Sequence, residues 1–230
     1  MEKSDLRKQL APLYKASAKE PVLVTVPAMN FLMVDGRGDP NTAPEFQQAI
    51  DALYGLSYTL KFAYKKREGI DYRVMGLEGL WWSEGEDPGE AFRKGDKSRW
   101  QWTLMIAQPD FVTPAALDEA REELLARRPS PAARHVRLER YQEGLAAQVL
   151  HVGPYDQERP TIERLHAFFR ERGCERAGKH HEIYMSDPRR CAPERLKTIL
   201  RQPVRRVRPG AAHGRKESLR GQSKETGGRL

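Results

Sequence analysis

The stretch His180-His181-Glu182-Ile183-Tyr184 concentrates titratable side chains in a β-rich setting. Side chains alternate along a strand, so Glu182 and Tyr184 project to one face, while the two adjacent histidines face apart. Glu78 stands in the matching β segment of the first half of the chain, close to Trp81. If the halves pair about a twofold, Glu78 and Glu182 approach one groove from opposite sides. A carboxylate beside aromatic walls loses hydration and its pKa rises, which suits a general base or a counter-charge for a cationic ligand. The plainer alternative is a solvated glutamate on a half-exposed strand. The four tryptophans, Trp81, Trp82, Trp100 and Trp102, lie close together in the sequence. Trp100 and Trp102 share a strand face, whereas Trp81 and Trp82 point apart. They form an aromatic wall for a flat ligand, or most of them are core.

Other chemistries find little support. His151, His166, His180 and His181 show no metal-ligand spacing, so no metal is expected. Cys174 and Cys191 lack the setting of a nucleophile and are too few for a disulfide scaffold. Gly36-Arg-Gly38-Asp-Pro40 precedes a helix without the Lys-Ser/Thr of a phosphate loop and reads as a turn. No helix-turn-helix pattern argues for sequence-specific nucleic-acid binding.

The elements that must position these residues follow from periodicity. Residues 1–20 read as a lead-in segment over the core. Val22–Val26 and Phe31–Val34 are β-rich runs broken by Pro27. A helix follows, with Thr42 as N-cap, Glu45 as capping-box partner and Gly55 as its weak point. Tyr72–Met75, Leu80–Trp82 and Trp100–Ile106 are strand-like, with a polar loop over Ser83–Arg99. A second helix, Ala115–Arg128, leads to a Pro-rich linker. Val136–Tyr141 and Gly144–Val152 are strands, Thr161–Arg172 is a helix stopped by Gly173, and Glu182–Met185 and Leu196–Leu200 are strands.

Each half reads β-α-β-β, and two string pairs recur in the same order. Met33-Val-Asp-Gly…Pro44-Glu-Phe parallels His151-Val-Gly-Pro…Pro160-Thr-Ile, and Thr103–Pro109 parallels Thr198–Pro203. Three strands cannot cover their own apolar faces, so the halves should pair into a pseudo-twofold α+β domain with a central ligand groove. The repeats span about 21–110 and 134–204 of a domain over residues 21–204.

The chain has 230 residues and a net charge of +8. Residues 205–230 hold eight Lys/Arg and two acids, so the preceding 204 residues carry only +2. That Gly-rich, basic tail buries too little to offset its ordering entropy and is expected to be disordered, with weak non-specific nucleic-acid contact as a role open to it. No run approaches the roughly 18–20 apolar residues of a membrane span. The charged N-terminus carries no secretory signal, so a cytoplasmic protein is expected.

The strings Asn30-Phe-Leu-Met-Val-Asp-Gly-Arg-Gly-Asp-Pro-Asn41, Leu56-Ser-Tyr-Thr-Leu-Lys61, Leu77-Glu-Gly-Leu-Trp-Trp82, Trp102-Thr-Leu-Met-Ile106, His151-Val-Gly-Pro-Tyr155 and Gly178-Lys-His-His-Glu-Ile-Tyr-Met-Ser-Asp-Pro188 resemble the stand-alone branch of the GyrI-like small-molecule-binding family. The likeness runs from about residue 4 to 204. It implies two β-α-β-β repeats around a groove for flat, apolar, often cationic aromatics. The family's pocket glutamate corresponds to Glu182, with walls at Trp81, Trp82, Trp100, Tyr155 and Tyr184. Trp102, Glu78, His151 and His181 are further groove candidates.

Some stand-alone members are hydrolases that open the cyclopropane of DNA-alkylating antibiotics of the yatakemycin and duocarmycin type. On that reading Glu182 activates water, Tyr184 or Tyr155 donates to the developing phenolate, the tryptophans stack, and no cofactor is needed. Glu78 is a second candidate base. The competing reading is a module that sequesters or senses aromatic compounds without chemistry. Nothing resembles the DNA-binding domain of regulatory relatives. Oligomeric state is left open.

Overall fold

In the computed structural model, the described residues are 2–83 and 97–207. Most of the expected loop after Ser83, and the tail from residue 208, lie outside them.

Alternating apolar runs give two long strands, β2 (Val22–Arg37) and β6 (Arg137–Val152), each of 16 residues. They pair antiparallel with each other. On its other edge β2 pairs with β5 (Trp100–Gln108), which pairs with β4 (Glu78–Ser83). Correspondingly β6 pairs with β9 (Lys197–Arg206), which pairs with β8 (His180–Tyr184). The β4–β8 pairing closes the ring. Exchanging β2 with β6, β5 with β9 and β4 with β8 reproduces every pairing, so the duplication is visible in the topology. The α+β class and the β-α-β-β order hold. Closure also hides the edges that six open strands would expose.

Two short additions sit outside the ring. β1 (Glu2–Ser4) pairs parallel with β3 (Ile70–Tyr72), and β7 (Cys174–Arg176) extends β9.

Helices α1 (Leu6–Gln9) and α2 (Ala11–Tyr14) belong to the lead-in. The long helix α3 (Pro44–Glu68) and the helix α5 (Arg159–Glu171) are the equivalent helices of the two halves, and α4 (Pro114–Arg127) packs on α3. Gly55 marks that crossing: a Cβ there would sit 2.9 Å from Arg128 and 3.1 Å from Leu124. The supposed weak point of α3 is thus where a neighbour approaches.

Several local expectations need correction. Pro27 does not break β2, because it falls before Asn30, where β5 begins to pair. Residues 137–152 form one strand through a left-handed Gly144 (φ 76°), which joins the two expected runs, Val136–Tyr141 and Gly144–Val152, from Arg137 onward in a single ladder. The N-cap of α3 is Ala43, without a side-chain bond, in place of Thr42. Residues 73–75, expected in a strand, lie outside β3. β9 runs on to Arg206, past the start of the expected tail.

A buried charged chain fills one side of the β4–β8–β9 sheet. Tyr14 Oη donates to Glu78 Oε1 (2.8 Å), and His181 Nε2 lies 3.0 Å from Glu78 Oε2. His181 Nδ1 meets Glu143 at 3.0 Å, and Arg201 Nη1 donates to Glu143 Oε2 (3.1 Å). Arg201 also donates to Gln148 and to the Leu13 carbonyl, while Gln148 donates to the Pro12 carbonyl. The lead-in is thereby bonded to the ring. Burial opposes the imidazolium, yet Glu143 and Glu78 more than offset it and push His181 up to about 9. Burial alone would raise the Glu143 carboxyl, but His181 and Arg201 hold it below its ordinary value. Two carboxylates facing two cations leave the chain neutral, the condition under which buried charge is tolerated.

Two predictions follow from this packing. Gly36 pairs with Trp102, and a Cβ on it would meet the buried indole at 2.0 Å. Gly36→Ala should therefore cost at least about 2 kcal/mol in urea unfolding, and an unchanged midpoint would contradict this packing. The His181 proton stabilises the fold fully below the unfolded-state value near 6.5 and ceases to do so as pH rises through about 9. Stability should fall on the order of 3 kcal/mol across that window, and His181→Gln should flatten the fall.

Candidate functional site

On β8 the alternation sends His180, Glu182 and Tyr184 to the side opposite His181. Register sets Gly79 against Glu182 and Trp81 against both His180 and Trp102. This side of β4–β8 floors a groove of about 1180 Å³. Helix α3 supplies one wall through Phe46, Ile50 and Tyr54, and α5 the other through Ile162 and His166. Met75 and Tyr14 close one flank.

Of the residues expected from sequence, Glu182, Tyr184, Tyr155, Trp81 and Trp100 line the groove. Trp81 and Trp100 meet edge to face at 5.7 Å, as do Tyr155 and Tyr184. Gly79 permits this arrangement: a Cβ there would lie 2.8 Å from the Trp81 indole nitrogen and 3.4 Å from the Tyr184 hydroxyl.

Five others lie outside the lining. Trp102 is 1% exposed and packs against Phe46 and Gly36 as core. Trp82 points to the other face, where the Lys179 ammonium sits 3.3 Å from its ring centroid. Glu78 and His181 belong to the buried chain behind the floor, because the register puts Glu78 opposite Ile183 and not opposite Glu182. Glu78 is therefore not a second base in the groove. His151 is buried against Thr161 and the Pro154 carbonyl.

Tyr184 Oη donates to Glu182 Oε2 at 2.8 Å, and His180 Nε2 lies 3.6 Å from Glu182 Oε1. The Tyr184 proton is thus engaged at Glu182. Burial, then the Glu182 charge, raises the phenol well above its ordinary value, so it stays protonated. Burial and the Glu158 and Glu182 charges also push Tyr155 up to about 12.

Glu158 also lines the groove, and its local sequence gives no sign of it. It occupies the N-cap position of α5, two residues before Pro160, where an acid reads as a helix cap. Its side chain makes no cap bond and lines the groove instead. Burial, and then the Glu182 charge, push its carboxyl up to about 10. Two carboxyls therefore line one groove, and burial with the Glu182 charge holds Glu158 protonated at neutral pH.

This arrangement has a thermodynamic cost with a definite sign. Below the unfolded-state value of about 4.5 Glu158 is protonated in both states, whereas at neutral pH only the unfolded chain gains by ionising. Glu158→Gln should raise stability at pH 7 by as much as about 3 kcal/mol and change it little at pH 4. Urea unfolding at the two pH values checks this, and an equal effect at both would contradict it.

Three solved structures from Listeria innocua are similar throughout. One, described as an uncharacterized conserved protein, is 40% identical with a TM-score of 0.80, covering 87% of this chain and 99% of its own. Another, described as a hydrolase, is 38% identical with a TM-score of 0.76 over the same shares. A third, also described as a hydrolase, is 39% identical with a TM-score of 0.79, covering 89% of this chain and 100% of its own. No curated protein matches the chain. Residues 19–205 match the GyrI-like small molecule binding domain, and with the groove and duplicated ring in place the chain belongs to that family.

Proposed function

We propose that the groove holds a flat aromatic electrophile and adds water to its strained ring, as in a cyclopropane-fused cyclohexadienone of the yatakemycin and duocarmycin type, and so protects the cell from alkylation. The observation that carries this reading is the carboxyl pair beneath aromatic walls. Environments that push two carboxyls apart in pKa separate the roles of acid and base. The likeness to two chains described as hydrolases supports the same direction.

In the step, the water oxygen bonds to a cyclopropane carbon and one ring C–C bond breaks. The electron pair of that bond passes into the dienone, which becomes a phenolate. Glu182 accepts the water proton. Tyr184 is a positioning residue that holds the Glu182 carboxylate through its 2.8 Å bond. Glu158, held neutral by burial and by the Glu182 charge, keeps its own proton and takes none from the water. Tyr155, still protonated, is the donor for the phenolate oxygen. Trp81 and Trp100 offer faces and edges for the flat body of the ligand.

A cyclopropane-bearing duocarmycin analogue, incubated with the protein and followed by mass spectrometry, tests the proposal. A product one water heavier should form over many turnovers with the wild type, and Glu182→Gln should bind the analogue but lose turnover by about 100-fold or more. Unchanged ligand that still raises the melting temperature would mean a binding module that sequesters aromatics. No product and no shift would sink both readings.

A further inference from the structure

The charges around the groove are unequal. Nine Lys and Arg side chains line it against six carboxyls. Four of the guanidinium groups, those of Arg7, Arg73, Arg170 and Arg190, make no side-chain ion pair among the described residues. The acids are largely committed. Glu163 is paired with Arg159 at 3.0 Å and Asp187 with Arg189 at 3.0 Å. Glu182 is bonded to Tyr184, and Glu158 is held neutral by burial and by the Glu182 charge. The described residues up to 204 carry +5, and the lining supplies +3 of it, so most of that positive excess lies on this face. Walls of low dielectric focus such a field into the cleft and raise the local concentration of the opposite charge.

Resting on the reading of this groove as the ligand site, we infer that it selects planar aromatic ligands that carry or develop negative charge, and disfavours cationic ones. The chemical class is an aromatic body bearing a carboxylate, sulfonate or phenolate, or a neutral one that becomes a phenolate on reaction. The apolar floor and walls bind the ring system, and the unpaired arginines meet the anion. This runs against the cationic aromatics implied by the family resemblance. It also gives the proposed reaction an advantage, since the ring-opened product is an anion and its charge would develop in a positive field.

Calorimetric titration with three ligands sharing one ring system tests the inference: 1-pyrenebutyrate, 1-pyrenebutanol and the matching pyrenylbutyl trimethylammonium ion. The anion should bind at least about tenfold more tightly than the cation at low ionic strength, and the gap should close as salt is raised. The double substitution Arg73→Glu with Arg170→Glu, both at exposed positions, should shift the anion-to-cation ratio toward the cation. Equal or tighter binding of the cation, with the neutral alcohol still bound, would overturn the charge preference and leave the groove as the ligand site. Failure of all three to bind would overturn both. A ratio unmoved by the double substitution would also count against the inference.

Discussion

The seam between β4 and β8 joins the two halves, and the chemistry of the molecule follows from the alternation of side chains along it. Strand geometry allows no choice: once Gly79 faces Glu182, Glu78 must face away from it. One seam therefore carries two carboxylates to opposite sides of a sheet, and each needs its own means of neutralisation. Behind the floor, Glu78 meets a protonated His181 and the Tyr14 hydroxyl. In the groove, Glu182 meets the Tyr184 hydroxyl and a neighbour that gives up its own charge. A one-residue slip in β8 would turn Glu182 and Tyr184 to the rear and His181 toward the groove, parting Glu78 from His181.

The two solutions differ in what they do for the fold. The rear chain alternates carboxylate and cation, bonds the lead-in to the ring, and is fully buried. Removal of one member would leave an uncompensated charge, the costly way to break such a network. In the groove, Glu158 is held neutral by burial and by the Glu182 charge, and it is destabilising at neutral pH. The rear chain and the packed ring supply stability that offsets this cost. Tyr14 touches both systems, since it lines the groove and donates to Glu78.

Much of this was legible in the sequence. The duplication, the α+β class and the shared face of Glu182 and Tyr184 follow from order and period-2 alternation alone. The placement of Trp82 on the face away from Trp81 follows in the same way. What did not follow was register. Glu78 reads as a partner of Glu182 across a twofold, and only the Gly79–Glu182 pairing shows that it faces the other way. Trp102 shares its face with Trp81, but whether an indole lines a groove or packs beneath it depends on Gly36 and Phe46, both distant in sequence. Glu158 was hidden for a different reason. An acid at a helix N-cap has a sufficient local explanation, and nothing local reveals that its side chain leaves the cap for the groove.

Infrared spectroscopy observes most directly the proton that Glu158 holds at neutral pH. A protonated carboxyl has a C=O stretch separate from the bands of ionised carboxylates, and carbon-13 labelling of glutamate identifies it. Such a band should be present at pH 7, persist until the pH nears about 10 and be absent in Glu158→Gln. A wild-type spectrum without a protonated glutamate at pH 7, or a band that survives Glu158→Gln unaltered, would contradict it.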